Sequence, residues 1–226
     1  MVRILAVADE VVESLTFGVG IDVRPDLILG AGDLPFDYLE LLSDLCDAPC
    51  VYVPGNHDRD LRGYRRGRSG WTRAGLPSAD PGPVGAINAD GRTVTVAGVR
   101  ICGLGGSVRY NGGPNQYTET QQRLRCLSLR ARRPRIRPDI LLTHSPARGV
   151  GDADDRAHRG FACFHPLVEH LRPKMMVHGH IHPHGTHPRD LVIGADTISM
   201  NVVGYCRFDF DPATGDHTIA RRRYGA

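Results

Sequence analysis

Short apolar runs recur along the chain, and five of them end abruptly on polar clusters. Ile4-Leu5-Ala6-Val7 precedes Asp9, Leu27-Ile28-Leu29 precedes Gly32-Asp33, and Val51-Tyr52-Val53 precedes Gly55-Asn56-His57-Asp58. Ile140-Leu141-Leu142 leads to His144, and Met175-Met176-Val177 leads to Gly179-His180-Ile181-His182. Runs of this size predict buried strands. In α/β sheets, ligands bind beyond the carboxyl ends of the strands. The pattern therefore predicts strand ends that deliver Asp, Asn and His side chains to one place.

The remaining periodicity fills in the elements. Strands are expected over residues 2–8, 26–30, 50–53, 139–143 and 175–177, and a short helix over 11–18. Pro35 opens a helix over 36–46, with Leu39, Leu41, Leu42 and Leu45 at helical spacing. A second helix spans 118–132, with Thr118 as N-cap and Gln121 at the capping-box position. A third spans 161–171, with Phe161, Phe164, Leu167, Val168 and Leu171 on one face and Pro173 as its stop. Residues 94–101 predict a hairpin turning near Ala97-Gly98. Residues 59–90 are rich in Arg, Gly, Pro and Asp and weakly periodic, which predicts a long excursion with a short helix near 57–64. Gly103-Leu104-Gly105-Gly106 has the look of a phosphate cradle, a weak signal by itself. Alternating runs at 190–194, 196–202, 205–210 and 217–222 predict antiparallel strands. Helix–strand alternation followed by a run of strands points to two facing sheets with helices outside.

Composition narrows the class. The chain has 226 residues and is 41% hydrophobic, an ordinary globular balance. Because ligand-type residues come from both halves, residues 1–226 are expected to form one domain. The formal charge of +3 gives no indication of specific nucleic-acid binding. Lys174 is the only lysine, so arginine carries nearly all the positive charge. No signal peptide is visible, and no apolar stretch approaches the roughly 18–20 residues of a membrane span. A cytoplasmic protein with no membrane partner is expected. Cys46, Cys50, Cys102, Cys126, Cys163 and Cys206 are read as free thiols, since no second closely spaced pair gives zinc spacing.

Taken singly, the polar residues have ordinary explanations. Asp33 can cap a helix, Asn56 can fill a turn, and His144 can be a satisfied core histidine. His180 and His182 alternate, so on an extended segment they share one side.

Taken in order, the blocks resemble the calcineurin-like metallophosphoesterase family. That family's pattern runs D-x-H, G-D, G-N-H-D/E, a lone H, then G-H-x-H. The last four blocks are Gly32-Asp33, Gly55-Asn56-His57-Asp58, His144 and Gly179-His180-Ile181-His182. The first reads Asp9-Glu10-Val11, with valine where the family has histidine. The resemblance implies a four-layer α/β/β/α sandwich of two mixed sheets. It also implies a metal-dependent phosphoesterase with two divalent ions, whether Mn, Fe, Zn or Ni. Asp33 matches the bridging ligand, Asp9 and His182 the first ion's ligands, and Asn56, His144 and His180 the second's. His57 matches a non-ligand that faces the phosphate and either protonates the leaving oxygen or stabilises the transition state, with Asp58 orienting it as hydrogen-bond acceptor.

The chemistry accounts for these residue types. A phosphate ester is anionic and repels its nucleophile; two cations about 3.5–4 Å apart acidify a water and neutralise phosphoryl charge. A carboxylate can serve both ions, while imidazole and amide oxygen fill other positions. Val11 predicts a weakly held first ion. Glu10 replaces the missing ligand only if the strand has already ended, since neighbours on a strand point to opposite faces. Asp152, Asp154, Asp155 and His158 are further candidates. His178, His184 and His187 are expected behind the ligands or in solvent.

The expected partner is a phosphate-ester substrate, with small phosphodiesters or nucleotides favoured by family analogy. Arg109, Tyr110, Asn111, His158 and Arg159 are candidates to line its pocket; Arg62, Arg65, Arg66 and Arg68 are read as a solvated loop. Two other functions stay open: a non-catalytic interaction module like the retromer subunit of the same fold, and a serine/threonine protein phosphatase.

Overall fold

The computed structural model describes residues 1–19, 21, 23–132, 137–183 and 189–223. In chain order the elements begin with β1 (Val2–Ala8), α1 (Glu13–Thr16), β2 (Leu27–Gly30), α2 (Phe36–Cys46) and β3 (Cys50–Tyr52). A small meander follows, made of β4 (Tyr64–Gly67), β5 (Gly70–Arg73) and β6 (Leu76–Ser78). Next come β7 (Ile87–Asn88), β8 (Thr93–Val96), β9 (Val99–Leu104), β10 (Ser107–Val108), β11 (Gln116–Tyr117) and α3 (Glu119–Arg132). The chain continues through β12 (Ile140–Thr143), α4 (Phe164–Leu171), β13 (Met175–His178), β14 (Leu191–Ile193) and β15 (Thr197–Asn201). It closes with β16 (Gly204–Phe210) and β17 (His217–Arg223).

Two six-stranded mixed sheets result, ordered β17-β16-β1-β2-β3-β7 and β14-β15-β13-β12-β9-β8. In the first, β1, β2, β3 and β7 run parallel, and β16 returns antiparallel along β1. In the second, β9, β12, β13 and β15 run parallel, with β8 and β14 antiparallel at the edges.

Strand alternation sorts the core. Ile4, Ala6, Leu27 and Leu29 from one sheet meet Ile101, Ile140, Leu142 and Val177 from the other in a dry layer between them. The alternate residues Leu5, Val7, Ile28 and Tyr52 pack outward under Leu15, Leu39 and Leu42. On the far side, Cys102, Leu141 and Met176 pack under Cys126, Leu129, Phe164 and Val168. This is the expected α/β/β/α sandwich. Strands buried on both faces read as continuous apolar runs.

Local signals also hold. Thr118 N–H donates to Gln121 Oε1 at 2.9 Å, and Gln121 N–H donates to Thr118 Oγ1 at 3.2 Å, so the capping box closes in both directions. The hairpin turns at Ala97 and Gly98, both at positive φ.

Three expectations are corrected. No helix forms near 57–64; the segment leads into the meander, whose β4 and β5 are largely exposed and so lack a buried face to impose a clear period. The last helix begins at Phe164, because Phe161 is held in a backbone bridge to Ala147. β15 pairs antiparallel with β14 as expected, but its other edge runs parallel to β13, so the antiparallel expectation holds on one side only. His184 and His187 lie outside the described residues.

Candidate metal centre

The carboxyl ends of β1, β2, β12 and β13 open onto one region, and sharp backbone reversals aim the side chains into it. Asp9, Asp33 and His180 have φ of 61°, 56° and 70°, the left-handed region that non-glycine residues rarely adopt. Such strain persists only where surrounding structure fixes it. Here the loops clamp one another. His57 N–H donates to Asp33 Oδ1 at 2.8 Å, and His180 N–H donates to Asp9 Oδ2 at 2.9 Å. The motif glycines follow from these clamps. A Cβ at Gly55 would strike the Asp33 carboxylate, and one at Gly179 would strike the Asp9 carboxylate.

Ligand atoms of Asp9, Asp33, His144 and His180 all lie within 4.8 Å of one another. His144 is fully buried, and its Nδ1 donates to the Ala31 carbonyl at 2.8 Å. That fixes Nε2 toward the centre, 3.0 Å from Asn56 Oδ1 and 3.2 Å from Asp33 Oδ2. His180 donates from Nε2 to the Ala157 carbonyl at 2.8 Å, so the neutral ring keeps its lone pair on Nδ1.

Charge is unbalanced at this point. Burial, reinforced by the neighbouring Asp33 carboxylate, pushes Asp9 up to about 6 against the opposing His144. Burial also disfavours charge on Asp33, but the His144 contact outweighs it and holds Asp33 down at about 2. His144 loses to burial and gains more from Asp33, rising to about 9. Burial, with His144 nearby, lowers His180 to about 3, and burial lowers His178 to about 4. Two enclosed carboxylates thus face a single cationic imidazole, a set deficient in positive charge.

The other expected residues are spread around this core. Buried Asn56 joins it through Oδ1 and donates from Nδ2 to the Tyr110 hydroxyl at 3.3 Å. His57 is exposed beside the centre. Among the described residues, the Asp58 carboxylate takes no hydrogen bond from the His57 ring. Its Oδ2 accepts the backbone N–H groups of Gly55 at 2.7 Å and Asp33 at 3.0 Å, so it fixes the turn. His182 stands outside the four-residue cluster, with Nδ1 3.2 Å from Glu10 Oε1. His158 lies against His180, ring centroids 5.4 Å apart. Arg109 reaches Gln121, and Arg159 reaches the Asp154 carbonyl. Asp152 and Asp155 bond backbone N–H groups within their own loop and are absent from the cluster. His178 is buried at the end of β13, away from solvent. Gly105 is no phosphate cradle, since its N–H donates to Asp90 Oδ1 at 2.6 Å and a Cβ there would strike Pro54.

Two supporting residues escape the sequence reading. Buried Asn115 donates to the carbonyls of Gly55 at 2.9 Å and Asp58 at 3.2 Å, and Asn201 donates to the Ile181 carbonyl at 2.7 Å. Each pins a motif loop from a distant part of the chain.

The sequence profile of the calcineurin-like phosphoesterases matches residues 5–184. No curated protein matches the chain. Among solved structures, it is similar to the TT1561 protein of Thermus thermophilus, with 15% identity and TM-score 0.63 over 98% of this chain and 99% of that one. Another solved structure is similar at 14% identity and TM-score 0.66, again over 98% and 99% of the two chains. A Vps29 single mutant from Entamoeba histolytica aligns at 11% identity and TM-score 0.44, over 99% of each chain. At 14% and 15% identity, the likeness to the first two structures shows the fold alone.

Proposed function

Because the chain belongs to the calcineurin-like phosphoesterase family, we propose that it is a metal-dependent phosphoesterase acting on small phosphodiesters or nucleotides. The reading treats residues 1–226 as one catalytic unit. The observation that carries it is the meeting of Asp9, Asp33, His144 and His180, with ligand atoms within 4.8 Å of one another. Carboxylate, amide oxygen and imidazole together fit a divalent transition-metal ion, and the enclosed carboxylates lack matching positive charge. In this reading Asp9, Asp33 and His182 hold one ion, and Asp33, Asn56, His144 and His180 hold the other. Bound there, divalent ions acidify water and neutralise phosphoryl charge.

The chain's own residues supply position and a proton. Asp33 accepts the His57 backbone N–H, so the exposed imidazole is tied to the proposed bridging carboxylate. Imidazole is the commonest general acid, and here its task is to protonate the departing alkoxide. Asp58 keeps the turn that carries His57 in register with Asp33. Tyr110 on Asn56 and His158 beside His180 are the groups best disposed to touch substrate. The restriction to small diesters or nucleotides rests on family analogy.

Hydrolysis of 2′,3′-cyclic AMP, a small diester whose alkoxide leaving group needs a proton, by manganese-loaded protein, with metal content measured alongside, tests the proposal. His57→Ala is expected to keep its metal and lose about 10²–10⁴-fold in turnover. Equal, slow hydrolysis by both proteins would remove the enzymatic reading.

A further inference from the structure

We infer that Glu10 supplies the ligand that Val11 lacks, so that Asp9, Glu10 and His182 together hold the first ion. The inference rests on the metal-centre reading above and concerns this chain's own departure from the family pattern.

The backbone makes the substitution feasible. β1 ends at Ala8, and Asp9 then takes a φ of 61°. Strand alternation, which would have aimed Glu10 away from Asp9, no longer applies. Beyond Glu10 the chain departs: Val11 is 42% exposed, and Val12 is already buried in the layer under α2, its N–H facing the Tyr38 hydroxyl at 3.3 Å. Position 11 therefore lies on the way out of the site, whereas position 10 still faces it.

The side chains agree. Glu10 is only 20% exposed, and its Oε1 lies 3.2 Å from His182 Nδ1. Its Oε2 is buried and finds no hydrogen-bond partner among the described residues. A carboxylate oxygen shut away from water without a donor is costly, and a cation would relieve that cost. His180 N–H donates to Asp9 Oδ2 at 2.9 Å, so the segment that carries His182 runs beside Asp9 as well as Glu10. With Asp33 adjacent, the donors are mostly carboxylates, which suit manganese better than softer ions.

Manganese titration of metal-free protein, with free ion followed by electron paramagnetic resonance, tests this without using activity. Wild type is expected to take up two equivalents. Glu10→Gln, which conserves shape, should retain one equivalent and bind the second roughly 10–100-fold more weakly. Glu13→Gln, on the exposed start of α1, should titrate as wild type. Unchanged binding in Glu10→Gln, or equal weakening in Glu13→Gln, overturns the role of Glu10 while the metal centre stands. Absence of manganese binding in wild type overturns both.

Discussion

A single buried amide does much to hold the candidate centre together. Asn115 reaches from the loop before β11 to the carbonyls of Gly55 and Asp58, at either end of the turn that carries Asn56 and His57. Replacing it by alanine leaves two buried carbonyl oxygens without this donor, a loss of about 1–3 kcal/mol. Asn115→Ala should therefore lower the unfolding free energy measured in urea by that amount and loosen metal binding in parallel. The ligand-type residues themselves were legible in sequence, because each follows an apolar run directly. Asn115 was not, because its acceptors lie 60 and 57 residues away and are backbone atoms, which leave no trace in residue type. The role expected of Asp58 was displaced for a similar reason: its partners are the backbone N–H groups of Gly55 and Asp33.

Among the elements, legibility followed burial. Strands enclosed on both faces, such as β2 and β12, appear as short buried runs, and α3 announces itself through its capping box. Thr118→Ala removes the side-chain acceptor for Gln121 N–H and should cost about 1 kcal/mol, with Thr118→Ser recovering most of it. Chemical denaturation monitored by circular dichroism measures both. The meander of β4, β5 and β6 was hidden because most of its residues are exposed. The parallel placement of β15 was hidden because alternation specifies a strand's faces but not its direction.

At the scale of the whole molecule, the sandwich brings carboxylates from one sheet against imidazoles from the other. In metal-free protein, Asp33 raises His144 to about 9. A histidine raised above its unfolded value of 6.5 stabilises the fold fully below 6.5, and that contribution drains away as pH rises toward 9. His178 and His180, held near 4 and 3, contribute in the opposite sense as pH rises through 6.5, so the melting temperature of the metal-free protein should fall only between about pH 7 and 8, below the range in which unfolded cysteines ionise. Manganese should compete with that proton: loading near neutral pH should release protons, tighten with rising pH and abolish the fall. Scanning calorimetry with and without the ion distinguishes these behaviours.

The sequence by itself determined the layers, the strand ends and the residue types at those ends, because buried strands must be apolar throughout and ligand groups must stand just beyond them. It also determined that Val11 offers no donor. Only the tertiary structure decided what stands beside His182, since that depends on a backbone reversal at Asp9 and on a contact between residues 172 positions apart. Through-space packing of one loop on another chooses such partners, and no spacing along the chain records it.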